Sequence, residues 1–161
     1  MIPELGHFAL AVALALSLAL AALSLVGAAT GRVALMATSR PIAVGQFVFV
    51  AGAFAALATC FIGNDFSVVN VATNSNSKLP AAYRLAATWG SHEGSLLLWT
   101  LMLSGWTLAV ATFSRHLPER MVARVIGVMG LVSVGFLVFM LLTSNPFERL
   151  VPAAEGLLRV G

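Results

Sequence analysis

The 161-residue chain is 60% hydrophobic and only 9% charged, with a mean hydropathy of +0.97; soluble domains are about a quarter charged, so this composition excludes one and indicates a membrane protein. The net charge of +3 comes from eight arginines and one lysine scattered between apolar runs, which excludes a clustered nucleic-acid-binding face and makes the charge a report on topology. One cysteine, Cys60, lies inside an apolar segment and supports neither an intrachain disulfide nor a Cys/His zinc site.

A bilayer core takes roughly 20 apolar residues per helix. Phe8 to Val26 meets that length first. Its leader MIPELGH carries Glu4 and no Lys or Arg, and its apolar run exceeds that of a signal peptide, so it reads as a retained anchor. Ile42 to Ile62 forms the second span, in which Gly52 with Ala56 and Ala55 with Thr59 have the spacing of a helix-packing face; Gly52 is therefore expected on a contact seam.

The segment from Gly63 to Glu93 is a long loop. Asn64-Asp65 and the tract Thr73 to Lys78 are turn formers, while Phe66, Val68 and Val69 are apolar enough to dip back toward the membrane. Around Pro80, a good first-turn residue, Leu79, Tyr83, Ala86 and Trp89 or Gly90 share a helical face. This spacing predicts a short helix on the membrane surface, aromatics at headgroup level and Arg84 toward water.

The third and fourth spans are Gly94 to Phe113 and Val125 to Thr143. In the third, Trp99, Leu103, Trp106 and Val110 share a face suited to a partner helix or to lipid; in the fourth, Gly130, Ser133 and Gly135 suit close packing. The fold class is thus an all-α polytopic membrane protein of about four transmembrane helices plus a short interfacial helix. None of the spans contains a charged residue, which weakens the alternative of a small four-helix transporter or channel. The two short loops carry Arg32 and Arg40, and Arg115, Arg120 and Arg124 against Glu119. These loops are expected in the cytoplasm, with the amino terminus, the 63–93 loop and the tail from Ser144 on the opposite side.

Three histidines are candidates for chemistry. His7 and His92 fall near the same outer level, and only they can approach a bis-histidine haem geometry; His116 suits the carboxy-terminal end of a helix. His92 and Glu93 are the residue types of an acid and base pair, but neighbours on a helix point about 100° apart. Ser91 is better read as a helix cap with Glu93 in the first turn than as a nucleophile, and Ser95 has no base partner in the pattern. No catalytic set and no metal-ligand cluster is complete.

The order NDFSVVNVATNSNSKLPAAYRLAATWGSHEGSLLLW, SGWTLAVATFS and RVIGVMGLVSVGFLVFMLLTSNPFERL, with PELG at the start, resembles the amino-terminal part of the CcmF/NrfE/CycK family, the large membrane subunits of bacterial cytochrome c haem lyases. The family-like motif is Trp89, Gly90, His92, Glu93, Gly94, Ser95 and Trp99. The resemblance implies an inner-membrane protein that receives haem from the periplasmic carrier CcmE. With CcmH-type subunits, it helps attach haem to the CxxCH thiols of apocytochrome c. It also implies that residues 1–88 form an amino-terminal membrane segment with two spans and a periplasmic loop, and that 89–161 begin the haem-handling domain. The family's tryptophan-rich motif and haem-ligating histidines have no counterpart here, and after Glu155-Gly156 the sequence reads LLRVG. The chain is therefore expected to be a truncated scaffold portion that binds no haem alone, with His92 as the one residue placed to meet it.

Overall fold

The computed structural model describes residues 1–150, so the expectations for the tail beyond Leu150, including Glu155-Gly156, lie outside the described residues. Seven helices follow in order: α1 (Ile2–Thr30), α2 (Val33–Ala37), α3 (Ser39–Ile62), α4 (Val69–Asn74), α5 (Ala81–Gly90), α6 (His92–Phe113) and α7 (Glu119–Leu142). Among the described residues the only extended pairing is a single antiparallel bridge between Val68 and Arg149. Four segments are long and apolar enough to cross a membrane, α1, α2 with α3, α6 and α7. All backbone groups inside hydrocarbon must bond within the segment, which is why the apolar stretches of these runs are helical.

The four spans alternate in direction and pack in a ring, α1 against α3, α3 against α6, α6 against α7 and α7 against α1, leaving α1 and α6 across the bundle from each other. Sequence and backbone explain where they stop. Gly31 takes a left-handed conformation (φ 69°) and its N–H bonds the Gly27 carbonyl, closing α1. Pro41 has no N–H, and its ring crowds the carbonyl four residues earlier, so the chain breaks at Thr38 and α3 begins with Pro41 in its first turn.

Close packing is concentrated between α1 and α7. A Cβ at Gly127 would stand 2.7 Å from Leu25 Cγ, and one at Gly130 would stand 3.1 Å from the Ala21 backbone nitrogen. Without a hydrophobic drive inside lipid, this backbone approach is what van der Waals attraction needs. Buried polar groups add specific ties: Gln46 Nε2 donates to Ser17 Oγ at 2.8 Å, linking α3 to α1, and Ser24 and Ser39 hydroxyls meet at 2.7 Å. The bundle-facing side of α6 is also polar, and Thr100, Ser104 and Thr107 turn their hydroxyls back onto their own helix's carbonyls.

Three expectations need correction. Gly52 faces outward with nothing within 4 Å of its Cβ position, so α3 packs instead through Ala43, Gln46, Val50, Ala53 and Leu57. Arg84 does not point to water; its Nη1 donates to the Ile62 carbonyl at 2.7 Å and satisfies the exposed end of α3. The stretch around Val68 forms α4, with Val68 and Val71 fully buried under the bundle's end. Trp99 and Trp106, by contrast, face outward, 59% and 66% exposed.

Gly130→Leu is expected to destabilise the bundle by about 1–3 kcal/mol through overpacking, whereas Gly52→Leu should stay within about 0.5 kcal/mol of the parent. Unfolding of both variants in detergent by a common denaturant would show the difference, and equal losses would refute the α1–α7 seam.

Candidate functional site

One end of the bundle gathers the start of α1, the α3–α4 loop, the α5–α6 turn and the segment after α7. The turn Gly90-Ser91-His92-Glu93-Gly94 is tightly determined. Ser91 Oγ accepts the Gly94 N–H at 3.0 Å, and Glu93 lies in the first turn of α6, so the serine caps the helix and the carboxylate meets its positive end. A Cβ at Gly94 would overlap the Thr88 carbonyl oxygen, while Gly90 has open space. Only the second glycine of the motif is therefore required by packing.

Ser144-Asn145-Pro146-Phe147, just after α7, holds this end together. Asn145 Oδ1 accepts the Phe147 N–H at 3.0 Å, fixing the turn locally. Phe147 is 4% exposed, and its ring lies directly over Gly6 of α1, where any side chain would collide with it. The turn then reaches two histidines on opposite helices. Asn145 Nδ2 donates to His7 Nδ1 at 3.2 Å, and Ser144 Oγ lies 3.0 Å from His92 Nδ1. Both rings are thereby tethered by Nδ1, which directs Nε2 away from the tether.

A charged layer surrounds this turn. Arg149 pairs with Glu4 of α1, bonds Ser67, and has Nη1 3.9 Å from Asp65. Glu4 hydrogen bonding raises the Arg149 guanidinium above its ordinary range, so it remains a cation. Backbone bonds from Val69 N to Glu148 O and from Leu150 N to Ser67 O, both 2.9 Å, join the α3–α4 loop to the post-α7 segment. A shallow cleft beside His7 is lined by Pro3, Glu4, Asn145, Phe147, Glu148 and Arg149; His92 is not among its walls.

The two histidines thus share one polar tether without facing one common space. A porphyrin held between them requires both Nε2 atoms on opposite sides of one plane inside an apolar pocket, whereas the cleft at His7 mixes Pro3 and Phe147 with the charged Glu4, Glu148 and Arg149. No haem chemistry is assigned to the pair. No group of three or more His, Cys, Asp or Glu side chains suited to a metal occurs among the described residues. Of the motif residues, Glu93 and Gly94 build the turn together with Ser91, His92 is exposed on it, Ser95 donates to the His92 carbonyl at 2.8 Å, and Trp89 and Trp99 are exposed. His116 lies exposed in the α6–α7 loop, at the other end of the bundle. Sequence reasoning missed Ser144 and Asn145 as partners; an Asn-Pro turn directly after a span was the available signal.

No protein-family model matches the chain. Curated relatives include the cytochrome c-type biogenesis protein CcmF of Pseudomonas aeruginosa, 59% identical over 94% of this chain and 23% of its own length. CcmF of Escherichia coli is 55% identical over 94% of this chain and 24% of its own length. A solved structure described as cytochrome c heme lyase CcmF superposes with a TM-score of 0.88 at 29% identity, covering 95% of this chain and 26% of that one. The chain spans about a quarter of the length of these relatives.

Gly94→Ala is expected to cost about 1–3 kcal/mol, because a Cβ meets backbone there, and Gly90→Ala almost nothing. Ser144→Ala should cost about 0.5–1.5 kcal/mol and release the His92 ring, read as a changed ¹⁵N imidazole spectrum for His92 alone. An unchanged His92 signal would remove Ser144 as its tether.

Proposed function

We propose, for a chain that resembles the amino-terminal part of CcmF over nearly its whole length, that it serves as an amino-terminal membrane module of an assembly attaching haem covalently to apocytochrome c. The single observation that carries this reading is 59% identity over 94% of the chain, supported by the TM-score of 0.88 to a CcmF structure. The same similarity favours it over a small transporter or channel.

In this reading the module lies in the bacterial inner membrane. Arg32, Arg40, Arg115, Arg120 and Arg124 at one end support a cytoplasmic position for that end. The amino terminus and the 63–93 loop then face the periplasm, where the carrier CcmE, CcmH-type subunits and apocytochrome c are met. Residues 1–88 act as the anchoring segment and 89–161 as the start of the haem-handling domain; α6 and α7 pack with α1 and α3 in one bundle, so the division concerns role and not separable bodies. The module supplies scaffold, and His92, tethered through Nδ1, presents Nε2 as its contact toward haem or the haem-bearing partner.

In a bacterium whose CcmF-type protein lacks the portion matching residues 1–150, this chain expressed separately is expected to restore haem-stained c-type cytochromes, and in a strain lacking the whole protein it should not. Restoration in the second strain would refute a scaffold role, and failure in the first would refute the module. Independently, Ser77→Cys should react with a membrane-impermeant maleimide from the periplasm and His116→Cys should not; the reverse pattern would invert the orientation.

A further inference from the structure

We infer that the centre of the bundle binds a water molecule, held by the side-chain amide of Gln46 and sealed from both ends. Gln46 is fully buried. Its Nε2 donates to Ser17 Oγ at 2.8 Å, but its Oε1 meets no donor among the described residues. Exchanging the amide's oxygen and nitrogen keeps the deficit, because the N–H groups would then occupy the unpartnered place. An amide end buried without a partner forfeits the hydrogen bond it makes in water, and hydrocarbon supplies no substitute.

Helix register gathers hydroxyls from the other three spans at the same level. Gly130 of α7 lies against Leu20 and Ala21 of α1, so Ser133 and Ser17, each three residues nearer the histidine-bearing end, stand side by side. A Cβ at Gly105 of α6 would stand 3.7 Å from the Phe47 ring of α3, so Ser104 and Thr107 bracket the level of Gln46. All four hydroxyl side chains are fully buried. Their protons are committed to their own helices: Ser17 donates to Ala13, Ser104 to Leu101, Thr107 to Leu103 and Ser133 to Met129, at 2.8 to 3.0 Å. Their oxygens still have lone pairs to offer. The missing partner must therefore donate to an amide oxygen and to hydroxyl oxygens, and it must be neutral, because no counter-charge is buried with it. Water has that chemistry, and as donor and acceptor it serves either orientation of the amide. Three of the side chains are serines where the neighbouring layers use leucines, which makes the level polar and short of side-chain bulk.

Apolar side chains close this layer on both faces. Ala13, Val50, Leu97 and Leu137 belong to one buried cluster on the side of the histidine-bearing end. Leu20, Ala43, Ala111 and Ile126 form a second cluster toward the arginine-rich end. The water is thus an enclosed ligand that ties α3 to its neighbours, and not a link in a pore.

Gln46 is the chain's only glutamine, so glutamine labelled with ¹⁵N in its side chain isolates this amide by NMR of the chain in deuterated detergent. Its N–H protons should give a cross-peak at the water frequency, with laboratory-frame and rotating-frame Overhauser effects of opposite sign, as a water resident for longer than the tumbling time produces. Buried waters make about three hydrogen bonds, so Ser17→Ala, Ser104→Ala, Thr107→Val and Ser133→Ala should each keep at least about half of the cross-peak. Absence of the cross-peak in the parent chain overturns the assignment. Overhauser effects of equal sign would reveal mobile solvent in an open crevice, and complete loss in a single hydroxyl variant would identify that side chain's own proton as the partner; either result refutes the bound water. The parent chain alone carries the first readout, so the test stands even where a variant fails to fold.

Discussion

The arrangement of the histidine-bearing end depends on how closely α1 and α7 approach. Gly127 and Gly130 let Leu25 and the Ala21 backbone come within van der Waals range, and the seam continues to Gly6, where the tip of the Phe147 ring packs on α1. A helix pair held this close delivers the segment after α7 to one place only. Ser144 and Asn145 consequently arrive between α1 and α6, and two helices on opposite sides of the bundle acquire a common anchor. Geometry near His92 is thus set partly by glycines in the middle of the membrane.

Much of the fold was legible in the sequence because the bilayer imposes a coarse rule. Runs of about 20 uncharged apolar residues announce spans, and all four are present, with α1 and α7 extending beyond the expected stretches by about two turns. Those overhangs contain Glu4 and Glu119, which a hydropathy reading trims away although helix geometry tolerates them outside hydrocarbon. The cap at Ser91 was also legible, since its partners are three residues distant and follow a local rule. Helix α4 was not, because Val69–Asn74 is short and gains its stability from burying Val68 and Val71 against the bundle.

Other features failed because spacing identifies a face and not its neighbour. Gly52, Ala55 and Thr59 have the spacing of a packing seam and yet look outward, while the seam runs along Ala43, Gln46, Val50 and Ala53. Arg84 belongs to the same class. Its partner is the Ile62 carbonyl, 22 residues earlier, and a backbone oxygen left over at a helix end has no sequence signature. The His92–Ser144 contact spans 52 positions and was likewise invisible to local reasoning, although both residues stood inside stretches that marked the resemblance to CcmF.

The hydrogen bond from Gln46 to Ser17 has a consequence beyond holding two helices together. Apolar ridges slide past one another at little cost, and lipid exerts no preference for one register over the next. A lone amide deep in the bundle does exert one: displaced by a turn, it would leave its N–H groups in hydrocarbon without a hydroxyl to receive them. Gln46 therefore works as an index mark that sets how far α3 rises alongside α1. That height decides the level at which the Ile62 carbonyl emerges for Arg84, and with it where α5 rests before the chain turns at Ser91 into the membrane again.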